Sequence, residues 1–269
     1  MTDPGDPRLV DFHRLNDTTF RRTVETGGSF GAGFFIAEGW LAVERLLTSR
    51  YQTRRILVAQ AKVDRLEELA RLPADRVLVA DQTVIDSVVG FAMHRGVVAS
   101  ASRGRPQMAD RVAKRGRRLL LLEAINDAEN MGALFRNAAA FGVDGVLIDP
   151  TCCDPLARRT VRVSMGHVLG VDWARATLAP LVESLQAHGA KVIALSPAAW
   201  ATPIDQLRLD PATRIAVVAG AEGAGLTDDM TSQADIVARI PMAPGVDSLN
   251  VATATAIALH RLSAEHLSG

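Results

Sequence analysis

Apolar positions along the chain alternate between helical and strand periods almost from end to end. "EGWLAVERLL", from Glu38, sets Trp40, Leu41, Val43, Leu46 and Leu47 at helical spacing. "RRILVA" predicts a strand, "VDRLEELARL" a helix and "DRVLVA" a strand; "QTVIDSVVG" predicts a helix closed by Gly90, and "GVVASA" a strand. Together they predict a small α/β domain over 1–102. Its first 37 residues begin polar and end in "GGSFGAGFF". Gly28, Gly31 and Gly33 do not make the GxGxxG of a phosphate cradle, and no clear strand precedes them. A mobile loop is expected there, with glycine supplying backbone freedom.

A second alternation starts at "LLLLEAI", a continuous apolar run suited to a strand buried on both faces. A helix over 130–141 follows, then strand "GVLIDP", a helix near 155–166 and another over 178–188. Strands "KVIALS" and "RIAVVAG", a short helix over 227–234, strand "DIVARI" and a terminal helix from about 249 complete the pattern. This order predicts an α/β fold with a mostly parallel sheet covered by helices on both faces, spanning 118–269. Between the two alternations, "SRGRPQMADRVAKRGRR" carries seven Arg or Lys against one Asp and contains Pro106. It reads as a basic linker over 103–117, either solvated surface or a contact for an RNA backbone.

Composition narrows the class only slightly. The 269 residues are 48% hydrophobic, enough for packed cores, and 30 basic residues balance 30 acidic ones. No global field therefore points to nucleic acid, membrane or acidic substrate. Nearly all the basic residues are Arg, which suits bidentate contact with phosphate. Cys152 and Cys153 are adjacent, too close for an ordinary disulfide, and the six His are scattered without metal-ligand spacing, so no metal is expected. "MTDPGDPRLV" lacks the order of a signal peptide and no run is long enough to cross a membrane, so a soluble, reduced, cytoplasmic protein is expected.

Three stretches carry candidate chemistry. In "NDAENMGALFRNAAAFGV", Asp127 can cap a helix, Glu129 lies in its first turn and Gly142 closes its far end. Met131, Leu134, Phe135, Ala138 and Phe141 form its core stripe. Arg136 lies off that stripe, with only Gly132 and Ala140 one turn away, which leaves its guanidinium a clear path to a partner. In "IAVVAGAEGAGL" a buried strand breaks into Gly220, Gly223 and Gly225 at its C-terminal end, where ligands bind in parallel sheets. Glu222 sits among them, where a purely structural turn needs no carboxylate. "IPMAPGVDSLNVATATAIALH" crosses a Pro/Gly loop into the terminal helix; Ser248 suits its N-cap, whereas capping explains Asn250 less well.

In this order the three stretches resemble the motifs of the SpoU (TrmH-like) family of RNA 2′-O-ribose methyltransferases, within the SPOUT superfamily. "NMGALFRNAAAFG" resembles the first, "VVAGAEGAGL" the second and "IPMAPGVDSLNVATATAIAL" the third; "VRVSMGHVLG" is similar to the stretch between the first two. The resemblance covers 118–265. "FFIAEGWLAVERLL" and "HRGVVASA" resemble the ribosomal-protein-like substrate-binding domain of some members. Ala128 stands where a proline is usual, Ala221 where a small hydroxyl residue is, and Asp247 where Glu is more usual.

The resemblance implies a trefoil-knotted C-terminal domain, S-adenosylmethionine as cofactor in a bent form, an RNA substrate and a homodimer. It assigns Asn130, Arg136, Glu222, Ser248 and Asn250 to catalysis, with Ala219, Gly220, Glu222, Gly225, Ile240, Met242, Ser248 and Leu249 around the cofactor. A guanidinium is a poor base, so Arg136 is favoured as a clamp for phosphate and developing alkoxide, with the base role considered for this family as the alternative that the sequence does not decide. Arg103, Arg105, Arg111, Lys114, Arg115, Arg117 and Arg118 are the expected RNA contacts, and a full N-terminal domain favours ribosomal over transfer RNA. Two rivals differ in class. A nucleotide-dependent oxidoreductase lacks its early GxGxxG here, and a noncatalytic RNA-binding protein on this fold has no use for the full polar set.

Overall fold

In the computed structural model, residues 1–25, 33–69, 73–221 and 223–263 are described. They fall into two units: Met1–Arg105 with Leu156–Gly170, and Pro106–Pro155 with Val171–Gly269. In the first, a 3-10 turn over Pro7–Phe12 and helix α1 (Thr18–Glu25) precede β1 (Phe34–Glu38), α2 (Trp40–Leu47), β2 (Thr53–Ala59), β3 (Val77–Ala80), α3 (Gln82–Val89) and β4 (Val97–Ser102). The sheet order is β1-β4-β2-β3, with β4 antiparallel to both neighbours and β2 parallel to β3.

Described residues within 1–37, a stretch expected to be partly loop, supply much of this unit's core. Leu9 and Phe12 are fully buried beside Ile36, Leu57 and Ile85, and every residue of β1 is buried. Their apolar residues are too widely spaced among polar ones to show a period. Gly28 and Gly31 lie outside the described residues. The helix expected at "VDRLEELARL" is instead 3-10 over Gln60–Leu69.

The second unit begins with α4 (Ala109–Arg115), β5 (Arg118–Glu123), α5 (Ala128–Ala140) and β6 (Gly145–Ile148). The chain then returns to the first unit for α6 (Arg158–Val163). Back in the second unit come β7 (Trp173–Arg175), α7 (Leu178–Ala187), β8 (Ala190–Leu195), β9 (Thr202–Pro203), β10 (Arg214–Gly220), α8 (Asp228–Gln233), β11 (Ile236–Arg239) and α9 (Val251–Ser263). The seven strands of this unit are all parallel, in the order β7-β6-β5-β10-β8-β11-β9. Leu119–Leu122 are wholly buried, as a run without alternation requires. Each such side chain contributes roughly 1.5–3 kcal/mol relative to exposure. Leu119 and Leu121 pack with Val112, Leu178, Leu181 and Met230 of α4, α7 and α8. Helices α5 and α9 pack together on the other face.

Two sequence expectations are corrected here. The basic linker over 103–117 is not a linker throughout: α4 occupies its middle and buries Val112 and Ala113 in the second unit's core. The surrounding Arg and Lys residues masked this apolar pair. The helix expected near 155–166 is shorter, being confined to α6, and a 3-10 turn over His167–Leu169 follows it. This segment belongs to the first unit. There Arg158 and Arg162 meet the buried Glu38 carboxylate at 3.0 and 3.7 Å, and Gly166 abuts Ala42 so closely that a Cβ would lie 2.8 Å from its Cα.

Candidate active site

In a parallel sheet every strand delivers its C-terminal end to the same edge, and ligands bind there. At that edge of the second unit lies a cavity of about 440 Å³. Ala219, Gly220 and Gly225 wall it from β10 and its loop, Ile240 and Met242 from the segment after β11, and Ser248, Leu249 and Asn250 from the approach to α9. Residues from the second and third candidate stretches thus face one space. Glu222 lies outside the described residues.

Sequence reasoning missed a further wall, Leu195, Ser196 and Pro197 at the end of β8. The strand "KVIALS" was legible, but its place between β10 and β11 in the sheet was not. Val251, Ala254 and Thr255 of α9 also line the cavity, and the Thr255 hydroxyl is a buried atom without a hydrogen-bond partner among the described residues.

The glycine loop has its shape for a reason different from close approach to a ligand. A Cβ on Gly220 would sit 2.5 Å from the Gly225 carbonyl oxygen, so the loop folds back on its own strand end. Gly223 and Gly225 face open space, but their φ values of 87° and 71° suit glycine. A bridge between Ala221 and Gly225, with Gly225 N donating to Ala221 O at 3.0 Å, closes the turn. Glu123, at the end of β5, fastens its far side: it accepts from the Thr227 amide and hydroxyl, both at 2.9 Å. A carboxylate closing the run "LLLLE" was the signal for this anchor.

Asn250, not Ser248, caps α9. Its Oδ1 accepts from the amides of Ala252 and Thr253 at 3.0 and 3.2 Å. Its Nδ2 donates to Asn130 Oδ1 at 2.8 Å, so one side chain both caps the helix and joins the first motif to the third. Ser248 lies ahead of the helix in the cavity wall. Helix α5 begins as expected, with Asp127 accepting from the amides of Glu129 and Asn130. Asn137 donates to Ala252 O at 2.8 Å from the same face as Asn130.

The chain leading into α5 has no proline at Ala128, yet it is pinned. Ala124 has a φ of 56° and donates to the Asp149 carboxylate at 2.8 Å. Ile125 N reaches Cys152 Sγ at 3.2 Å, and Cys153 N donates to Ile125 O at 2.8 Å. Burial pushes the Cys152 thiol up to about 12 and Cys153 to about 11, so both pack rather than react near neutrality.

Arg136 is exposed on α5 and, among the described residues, has no hydrogen-bond or ion-pair partner. It does not line the cavity. Six residues past Asn130, it points about 240° round the helix from the asparagine pair. The expected RNA contacts also divide. Arg105, Arg111, Lys114 and Arg115 are exposed, whereas Arg103 is half-buried with Nε on Phe34 O at 3.1 Å. Arg117 donates to Ala212 O at 2.9 Å, and Arg118 is half-buried with Nη1 enclosed. Arg103 and Arg117 are thus hydrogen-bonded to the fold.

A parallel sheet with a glycine loop, a polar helix cap and a cavity at its C-terminal edge defines an α/β ligand-binding enzyme class, here without a dinucleotide fingerprint. Comparison narrows this. The profile of the SpoU rRNA Methylase family matches residues 117–260, and the chain belongs to that family. It is 40% identical over 263 residues to an uncharacterized tRNA/rRNA methyltransferase of Mycobacterium tuberculosis, covering 97% of this chain and 90% of that one. A TrmH family tRNA/rRNA methyltransferase of Staphylococcus aureus is 28% identical over 232 residues, 82% of this chain and 92% of that one. Among solved structures, an AdoMet-bound rRNA methyltransferase from Sinorhizobium meliloti superposes with a TM-score of 0.80 at 25% identity, covering 100% and 98% of the two chains. The SpoU methyltransferase AviRb from Streptomyces viridochromogenes shares the fold, with a TM-score of 0.79 at 20% identity over 98% and 100%.

Proposed function

We propose that this protein transfers a methyl group from S-adenosylmethionine to a ribose 2′-hydroxyl of RNA, in ribosomal rather than transfer RNA. The observation carrying this reading is the Asn250–Asn130 contact, which sets the first and third motifs together at the rim of the strand-end cavity. The cavity suits the cofactor: its volume of about 440 Å³ fits a nucleoside-sized ligand, and it mixes aliphatic and polar walls.

S-adenosylmethionine is the methyl donor, and its sulfonium activates the carbon that is transferred. Ala219, Gly220, Gly225, Ile240, Met242, Ser248 and Leu249 hold it, with Glu222. The chain's remaining work is to orient the acceptor and take charge of its proton. When bound, the sulfonium would supply the methyl group to the 2′-oxygen with S-adenosylhomocysteine as leaving group, and the hydroxyl proton would pass to water, since no side-chain base is assigned. Arg136 steadies phosphate and the developing alkoxide. Asn130, Ser248 and Asn250 fix the ribose, and Glu222 pairs with the guanidinium.

The finer architecture follows the same reading. The second unit contains a trefoil knot; the first is a ribosomal-protein-like RNA-binding domain; the protein works in the cytoplasm as a homodimer. Exposed Ile257 on α9 supports the dimer.

The test is methylation in vitro. Purified protein, labelled S-adenosylmethionine and RNA from cells lacking the gene should yield a 2′-O-methyl nucleoside on nuclease digestion and mass spectrometry, from ribosomal RNA and not from tRNA. A base-methylated product would sink the ribose assignment, and product from tRNA alone would reverse the RNA assignment.

A further inference from the structure

Trp200 is 70% exposed, whereas Trp40 and Trp173, the chain's other tryptophans, are half-buried. It lies in the crossover that carries the chain from β8 to β9 past β11, at the C-terminal edge of the parallel sheet. Both ends of that crossover adjoin the cavity. Pro197, three residues before Trp200, is a cavity wall, and Thr202, two residues after it, pairs with Ala238, another. At roughly 3.8 Å per residue, the Trp200 backbone lies within about 11 Å of Pro197 and about 8 Å of Thr202. The turn is also held in place. Ala201 N donates to Ala198 O at 3.0 Å, closing a turn with Trp200 at its third position. Ser196 Oγ accepts from Ala198 N at 3.3 Å, and Arg239 Nε donates to Ala201 O at 3.1 Å. The indole is thus presented to solvent from a fixed turn beside the cavity.

Single apolar residues on a surface are ordinary, but a tryptophan leaves far more apolar area in water than most. An indole can bury roughly 150–250 Å², whereas one side of a stable protein interface takes about 800 Å². Pro197, Ala198, Ala199 and Ala201 beside it are small, so the turn offers one flat ring and not a continuous patch. One flat ring is what a nucleobase covers, and every base has a face that stacks on it. Bases are free to stack on a side chain where RNA is unpaired, because a duplex already occupies both faces. A turn closed beforehand by hydrogen bonds loses little further freedom in the contact. We infer that Trp200 is a stacking platform for an unpaired base of the RNA substrate, close to the nucleotide whose ribose is methylated. This rests on the function proposed above.

The test compares wild type with Trp200→Ala and Trp200→Phe in methyl transfer to ribosomal RNA from cells lacking the gene. Trp200→Ala should raise KM for RNA about five- to 150-fold, as loss of one base–aromatic stack does, and leave kcat within about twofold. Trp200→Phe, which keeps an aromatic face, should recover most of that loss. Calorimetry should find affinity for S-adenosylhomocysteine unchanged in both variants, and sedimentation should find the oligomeric state unchanged. An oligoadenylate strand should quench the tryptophan emission of wild type but not of Trp200→Phe, and far less when paired with oligouridylate. Unchanged KM in Trp200→Ala would overturn the inference, as would equal quenching by the strand and the duplex. A smaller oligomer in Trp200→Ala would also overturn it, by assigning the ring to contact with a second copy. Weakened S-adenosylhomocysteine binding would do the same, by assigning the ring to the cofactor. If wild type binds S-adenosylhomocysteine yet methylates no RNA, the proposed function itself fails and the inference falls with it.

Discussion

Arg136 is the residue whose function and stability roles separate most cleanly. Its side chain is exposed and, among the described residues, unpartnered, so Arg136→Ala should leave stability within about 0.5 kcal/mol of wild type. Methyl transfer should nevertheless be lost, and Arg136→Lys should also fail, because a point charge does not replace a planar fork. Near-normal turnover by either variant, measured beside an unchanged melting temperature, would remove Arg136 from the mechanism. Asp149 is the converse case, a carboxylate that works for the fold. Burial opposes its ionisation, but hydrogen bonds from the Thr151 hydroxyl and the amides of Ala124, Thr151 and Cys152 outweigh it and hold the carboxyl below its ordinary range. Its folded value lies below its unfolded one, so its contribution is present at neutral pH and is lost as pH falls through the folded value. Asp149→Asn should therefore cost about 1–3 kcal/mol near pH 7. Its deficit against wild type should shrink progressively below about pH 4, where the unfolded carboxyl protonates first. A deficit independent of pH would show that the ionised carboxylate is not what secures Ala124.

At the scale of elements, periodicity made the second unit legible and the first only in part. "LLLLEAI" announced a doubly buried strand, and Met131, Leu134, Phe135 and Ala138 announced the buried stripe of α5; all four are fully buried. What sequence order does not encode is which strands become neighbours. Placing β8 between β10 and β11 put Leu195, Ser196 and Pro197 in the cavity wall without any local signal. The same limit shifted the helix cap from Ser248 to Asn250, since either residue type caps well and only the fold decides where α9 starts. In α4, the basic residues hid a structural element: Val112 and Ala113 pack inward while Arg111, Lys114 and Arg115 share the exposed face. That face is the better candidate for binding an RNA backbone, because a helix fixes three cations in one array. Replacing all three by Gln should weaken RNA binding at physiological salt and flatten its salt dependence by about one unit of slope for each phosphate no longer neutralised. Cofactor affinity should not change. An unaltered salt slope would return these residues to ordinary solvated surface.

At the scale of the whole molecule, the chain passes between its two units three times, because Leu156–Gly170 belongs with the first while lying between segments of the second. Cutting the chain at residue 118 would therefore not isolate a catalytic half. It would strip Val112 and Ala113 from one core and leave the Glu38 partners Arg158 and Arg162 without their unit. Division of labour has to be tested in the intact chain, and the proposed dimer offers the means. The cavity and the Asn130–Asn250 pair belong together, whereas Arg136 is exposed on α5 and faces elsewhere. Beside it, α9 leaves Thr253, Ile257 and His260 exposed, an apolar-centred strip of the sort a second copy covers. In the proposed homodimer, Arg136 of one subunit would serve the cavity of the other. Ile257→Glu should then yield monomers in sedimentation and abolish transfer. Mixed dimers decide the matter more sharply. Gly220→Ala drives a Cβ into the Gly225 backbone and disables the cavity of its own subunit, while Arg136→Ala leaves its cavity whole. Each variant alone should be inactive. If sites are shared, a dimer of one Gly220→Ala and one Arg136→Ala subunit regains one complete site, and co-expressed, differently tagged subunits should recover activity approaching half that of wild type per dimer. If each subunit is self-sufficient, the mixed dimer has no complete site and stays inactive.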